Sequence, residues 1–86
     1  MIPIHELLSR IRWDRDFGSA EFIICYRDRL ENELVRVPLK HLHFDQDDHF
    51  DFELSDDRGE RRSIPLHRIR EVYRNGELIW HREGGD

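Results

Sequence analysis

Pro65-Leu66-His67-Arg68 is the stretch of this sequence best placed to do chemistry. Pro65 fixes φ and donates nothing to a strand ladder, so it marks a tight corner between strands. A corner on a rigid scaffold presents its polar side chains to a ligand, and here these are the imidazole of His67 and the guanidinium of Arg68. Thirteen of the fourteen Lys and Arg residues are arginine. Its planar fork suits bidentate contact with phosphate or carboxylate, and serves plain ion pairing equally well.

A second constellation is His41-Leu42-His43-Phe44-Asp45-Gln46-Asp47-Asp48-His49-Phe50-Asp51. His41 and His43 would project to one side of an extended chain, and the neighbouring carboxylates could complete a zinc or manganese site. Two histidines one residue apart in a polar loop are a nonspecific signal, so a solvated acidic loop is the better reading. No metal and no other cofactor is expected.

The chain has 86 residues, enough for a single domain over 1–86 with one modest core. With 37% hydrophobic against 38% charged residues, that core must be thin and the surface heavily charged. Cys25 is the one cysteine and lies in the apolar run Phe22-Ile23-Ile24-Cys25-Tyr26, where it acts as a small buried hydrophobe rather than a disulfide partner. The N-terminus lacks a basic segment followed by a long apolar run, and no stretch approaches ~18 consecutive apolar residues. A cytoplasmic, soluble protein with no membrane partner is the expectation. The net charge of −5 is unevenly spread: the balance is −1 over residues 1–38, −6 over 39–57 and +2 over 58–86. Acidity is therefore concentrated in the middle, and the region of the corner is mildly basic.

The elements that must position the corner are legible from pattern. Ile4, Leu7, Leu8 and Ile11 lie on one face of a helix from Pro3 to about Trp13. Asp14 to Ala20 reads as a loop. Glu21 to Arg27 reads as a central strand, Asp28 to Asn32 as a turn, and Leu34 to Leu39 as a returning strand whose Pro38 suits an edge. Leu39 to His49 reads as a loop with a short helical turn. Phe50 to Leu54 alternates apolar and acidic residues as a half-buried strand does, and Glu60 to Ile64 pairs back on it across the turn Ser55 to Gly59. Asn75-Gly76 calls for a two-residue hairpin between runs rich in β-branched and aromatic residues. That turn predicts the pairs Arg74 with Glu77, Tyr73 with Leu78, Val72 with Ile79, Glu71 with Trp80, Arg70 with His81 and Ile69 with Arg82. Glu83 to Asp86 should fray. No internal repeat stands out. The sum is an α+β fold, with the N-terminal amphipathic helix packed on a curled, partly barrel-like and mostly antiparallel sheet of about five or six strands.

Three separated blocks, Leu7 to Asp14, Tyr26 to Arg29, and Ile64 to Arg70 continuing to Asn75-Gly76-Glu77-Leu78-Ile79-Trp80, together resemble the RNA cyclic-group end recognition domain family. The resemblance covers most of the chain. It implies binding of RNA termini that carry a 2′,3′-cyclic phosphate, in RNA processing or repair, beside phosphoesterase or RNA ligase partners. Carried over by motif, the candidate positions are Arg12 and Trp13, Asp28 and Arg29, His67 and Arg68, and Trp80. The segment from His43 to Gly59 departs from the family in being longer and more acidic, and acidity near a phosphate site would oppose binding.

A terminal cyclic phosphate is compact and singly charged, so Arg29 and Arg68 could each donate paired N–H groups to it, with His67 adding one donor. Trp13 or Trp80 could stack on the terminal base. Each has an ordinary structural role beside this one: Asp28-Arg29 as a turn ion pair, the tryptophans as packing. His67 with Asp28 could open a cyclic phosphate only with a further proton-transfer group that the sequence does not place. With no Ser-His-Asp spacing, phosphate-cradling glycine loop or phosphoesterase motif, a non-catalytic role is expected. A different class of reading is a protein-interaction adaptor, in which the acidic segment 43–57 and a sheet edge meet a basic or strand-donating partner, or the edge pairs with a second copy as a homodimer.

Overall fold

The computed structural model describes residues 2–28, 33–44, 51–55 and 58–82. Helix α1 (Ile4–Trp13) buries Ile4 and Leu7, with Leu8 and Ile11 packed partly against the same core, as the spacing requires. It ends at Asp14, whose extended backbone lets the N–H bond back to Arg10 O at 2.9 Å. The same residue starts a second helix, α2 (Arg15–Gly18), by accepting the Phe17 N–H on its carboxylate at 3.1 Å. The expected loop over Asp14 to Ala20 is thus partly helical. Gly18 is required there because a Cβ would sit 2.0 Å from the carbonyl oxygen of Ile11.

Seven strands follow among the described residues, in two antiparallel sheets rather than one. The larger has the order β2 (Leu34–Pro38), β1 (Phe22–Arg27), β6 (Ile69–Arg74), β7 (Glu77–His81). The smaller has the order β3 (Leu42–His43), β4 (Asp51–Ser55), β5 (Arg61–Pro65). Neither is a closed barrel. Pro38 lies at the end of the edge strand β2, where its missing N–H costs no ladder bond.

Two proline corners carry the chain between sheets. Pro38 (φ −63°, ψ 137°) leads into a 3₁₀ turn over Leu39–His41, closed by the Leu42 N–H on Leu39 O, and delivers β2 into β3. Pro65 (φ −62°, ψ 137°) leads into a matching turn over Leu66–Arg68, closed by the Ile69 N–H on Leu66 O, and delivers β5 into β6. Set side by side, Val37-Pro38-Leu39-Lys40-His41-Leu42-His43 and Ile64-Pro65-Leu66-His67-Arg68-Ile69-Arg70 are the same short pattern used twice. The expectation of no internal repeat is corrected at this scale.

Phe22, Ile24 and Tyr26 on β1 share one face with Val72 on β6 and Trp80 on β7, and against it pack α1 and the smaller sheet through Phe52, Leu42 and Ile64. Tyr26 meets Phe52 edge-on, with ring centroids 5.9 Å apart. The Asn75-Gly76 turn has both φ values positive, 50° and 84°, as a type I′ hairpin demands. Asn75 also exchanges two bonds with Glu21, N–H to carbonyl at 2.8 Å and side-chain oxygen from N–H at 3.0 Å, fixing the hairpin to the start of β1.

The predicted pairs Arg74 with Glu77 and Tyr73 with Leu78 hold, but a bulge beyond them changes the register. Val72 faces Trp80 and Glu71 faces His81, so the pairs expected from Val72 onwards are each displaced by one residue. The physical reason is burial: the bulge turns Trp80 onto the core face, where its indole N–H reaches Ile2 O at 2.8 Å.

Candidate functional site

The second corner is held from outside its own sequence. Its carbonyls point at two arginines: Arg82 donates from Nη2 to Leu66 O at 2.8 Å and from Nε to Ile69 O at 2.9 Å, while Arg70 donates from Nη1 to His67 O. The Arg82 N–H also donates to Arg70 O at 2.9 Å, tying the end of β7 to the start of β6. Leu66 and Ile69 are buried beneath, and Arg70 itself is only 7% exposed. The Arg82 guanidinium lies over the Trp80 ring, 5.1 Å from its centroid. Burial, then the like charge of Arg70, lower its pKa from the ordinary guanidinium value. Charge-assisted bonds to these carbonyls, added on Leu66 O to the Ile69 N–H, fix this turn more firmly than a 3₁₀ closure alone.

On this base His67 is exposed and Arg68 half-buried. Arg68 Nε is enclosed and has no hydrogen-bond partner among the described residues. A buried donor without an acceptor is costly in the free protein and is satisfied if an anion arrives.

Asp28 stands at the same end of the sheet, since Tyr26 lies beside Ile69 and the two chains continue past each other. Its carboxylate accepts from Arg62 Nη2 on β5 at 3.3 Å, and the same nitrogen donates to the Tyr26 hydroxyl at 3.3 Å. These contacts, Tyr26 first, raise the Arg62 pKa further. Asp28 therefore joins the two sheets through a cation, a role unlike that of a free base. Arg29, the next residue, lies outside the described residues.

Arg12 and Trp13 belong to the opposite end. Arg74 Nε donates to Phe17 O at 3.2 Å, which places α2, and with it the last turn of α1, beside the hairpin turn. The length of β6 from Ile69 to Arg74, roughly 17 Å of extended chain, separates that end from the corner. Trp13 is 72% exposed, with the Arg12 guanidinium 5.4 Å from its ring centroid. Trp80 is 5% exposed, so its ring supports the corner from within rather than offering a free stacking face.

The structure thus places Asp28 at the same end of the sheet as His67 and Arg68, and Arg12 and Trp13 at the other. It adds Arg82, Arg70 and Arg62, which motif reading passed over. The one signal for Arg82 was its predicted place opposite Ile69 in the hairpin. His41 is exposed at the first corner, and His43 Nε2 lies 3.4 Å from Ser55 Oγ. Residues 45–50, which hold most of the proposed metal-ligand carboxylates, are outside the described residues, as is much of the acidic segment. No group of three or more His, Cys, Asp or Glu side chains able to hold a metal ion occurs among the described residues. None of the described helices is long and apolar enough to cross a membrane.

The family model for the MJ1316 RNA cyclic group end recognition domain matches residues 1–82. A UPF0248 protein of Methanococcus maripaludis is 31% identical over 80 residues, which cover 90% of this chain and 95% of that one. No solved structure matches.

Proposed function

The chain belongs to the MJ1316 RNA cyclic group end recognition domain family, and from that premise we propose that its second corner binds RNA termini bearing a 2′,3′-cyclic phosphate. The observation that carries this reading is the corner itself: a turn braced by Arg82 and Arg70 that leaves His67 exposed and an enclosed Arg68 Nε with no acceptor among the described residues. In this reading Arg68 donates its fork to the non-bridging oxygens and His67 adds one donor. Arg29 is the third donor of this reading. Asp28 holds Arg62 and the two sheets in place, and Trp80 carries Arg82. Arg12 and Trp13, on the far end, act on RNA away from the terminus.

No step in this reading breaks or makes a bond. The protein recognises the end and hands it to, or protects it from, an enzyme acting on cyclic phosphates, a phosphoesterase or ligase in RNA processing or repair. One phosphate rather than a long basic stripe explains how a chain of net charge −5 can bind RNA. The test is a binding titration of one oligonucleotide with a cyclic-phosphate end against the same oligonucleotide with a 3′-hydroxyl. Tighter binding of the cyclic end, with the preference lost in Arg68→Ala, is the expected result. Equal binding of both ends would remove the reading.

A further inference from the structure

The four-stranded sheet has one face packed and, among the described residues, one face bare. Opposite the core face, β1 presents Ile23, Cys25 and Arg27, β2 presents Leu34, Arg36 and Pro38, β6 presents Glu71 and Tyr73, and β7 presents Leu78 and His81, by the alternation of the strands and their register. No described element packs on it, and Leu34 and Leu78 remain 39% and 43% exposed. At its centre the Arg36 guanidinium lies 5.4 Å from the centroid of the Tyr73 ring. Arg36 is exposed and makes no hydrogen bond or ion pair among the described residues, so its donors are directed to solvent. The Tyr73 hydroxyl donates to Glu71 at 3.2 Å, which occupies part of that carboxylate. In a protein of net charge −5 this face carries two arginines against one glutamate.

A planar cation lying over an aromatic ring, as Arg36 lies over Tyr73, makes a stacked pair that takes a base on its outer face and a phosphate on the guanidinium N–H groups. The apolar flanks at Leu34 and Leu78 suit the faces of bases better than a charged protein surface. We propose that the bare face of the four-stranded sheet, centred on Tyr73 and Arg36, is a platform on which unpaired nucleotides preceding the RNA terminus stack. The identity of the ligand rests on the end-binding reading, and β6 links the two places, since it runs from the corner at Ile69 to Tyr73. The substrate is then a single-stranded end, not the blunt end of a duplex.

The full chain is titrated by fluorescence anisotropy with a single-stranded oligonucleotide ending in a cyclic phosphate, the same strand ending in a hydroxyl, and a blunt hairpin RNA ending in a cyclic phosphate. Tyr73→Leu should weaken both single strands by roughly five- to hundred-fold, the loss expected for one stacked base, while leaving their ratio and the hairpin unchanged. Tyr73→Phe should bind as the wild type does. Arg36→Gln, on an exposed edge-strand position, should also weaken the single strands and keeps the test valid if Tyr73→Leu does not fold. Wild-type affinity in Arg36→Gln and in folded Tyr73→Leu overturns the platform, and frees the face for a protein partner. If the cyclic-end preference survives in that case, the corner reading stands alone. If both substitutions weaken binding but no end preference exists in the wild type, the platform stands and the corner reading falls.

Discussion

The two corners of this molecule have the same backbone and different surroundings. Each is an apolar residue, a proline and a leucine followed by a 3₁₀ turn, with proline dihedrals that agree to one degree and the same closing bond on the leucine carbonyl. At the first corner Leu39 is half-buried and Lys40 and His41 are exposed. At the second, Leu66 is buried and two arginines cap three carbonyls. The lesson is that the turn is a local property of the sequence, whereas its bracing comes from Arg82, just past the end of β7, and from Arg70 on β6. A switch between sheets needs only the first; presenting donors in fixed positions to an anion needs both.

Substitutions made in pairs would break or sharpen this contrast. Leu66→Ala should cost about 3 kcal/mol of folding free energy and Leu39→Ala about 1, because one leucine leaves a cavity and the other was already half in water. Urea denaturation measures both. Arg82→Ala should cost about 2 kcal/mol, since the carbonyls of Leu66 and Ile69 lose charged donors, while Lys40→Ala should change stability by less than about 0.5. Equal effects of Arg82→Ala and Lys40→Ala would mean that the brace contributes nothing. Asp28→Asn, which weakens the tie to the half-exposed Arg62, should cost no more than about 1 kcal/mol in the same assay. In the anisotropy titration, Lys40→Ala and His41→Ala should leave binding of a cyclic-phosphate end unchanged, whereas His67→Ala should weaken it.

Much of this was legible before any coordinates. The apolar spacing in Ile4 to Ile11, the run Phe22 to Tyr26, the Asn75-Gly76 turn and the proline corners all act over a few residues, so local sequence specifies them. What escaped reading depends on distant groups. Asp14 and Gly18 look like loop residues until Asp14 caps a helix and Gly18 approaches Ile11. The alternation in Phe52 and Leu54 says which side is buried but not which sheet the strand joins. The bulge at Val72 and Tyr73 depends on Trp80 finding Ile2, and the brace on Arg82 finding a corner 16 residues earlier. Sequence shows that Trp80 is aromatic but not that it is buried, so stacking and packing both stay open until the fold decides for packing.

The most direct measurement is an amide and arginine side-chain NMR titration of the full chain with an oligonucleotide ending in a cyclic phosphate. The account predicts that the terminal phosphate shifts His67, Arg68 and Ile69 amides and the Arg68 Nε–H more than the 3′-hydroxyl control does, with Lys40, His41 and Leu42 unmoved in both. Matching shifts at the two corners, or shifts indifferent to the terminal group, would contradict it.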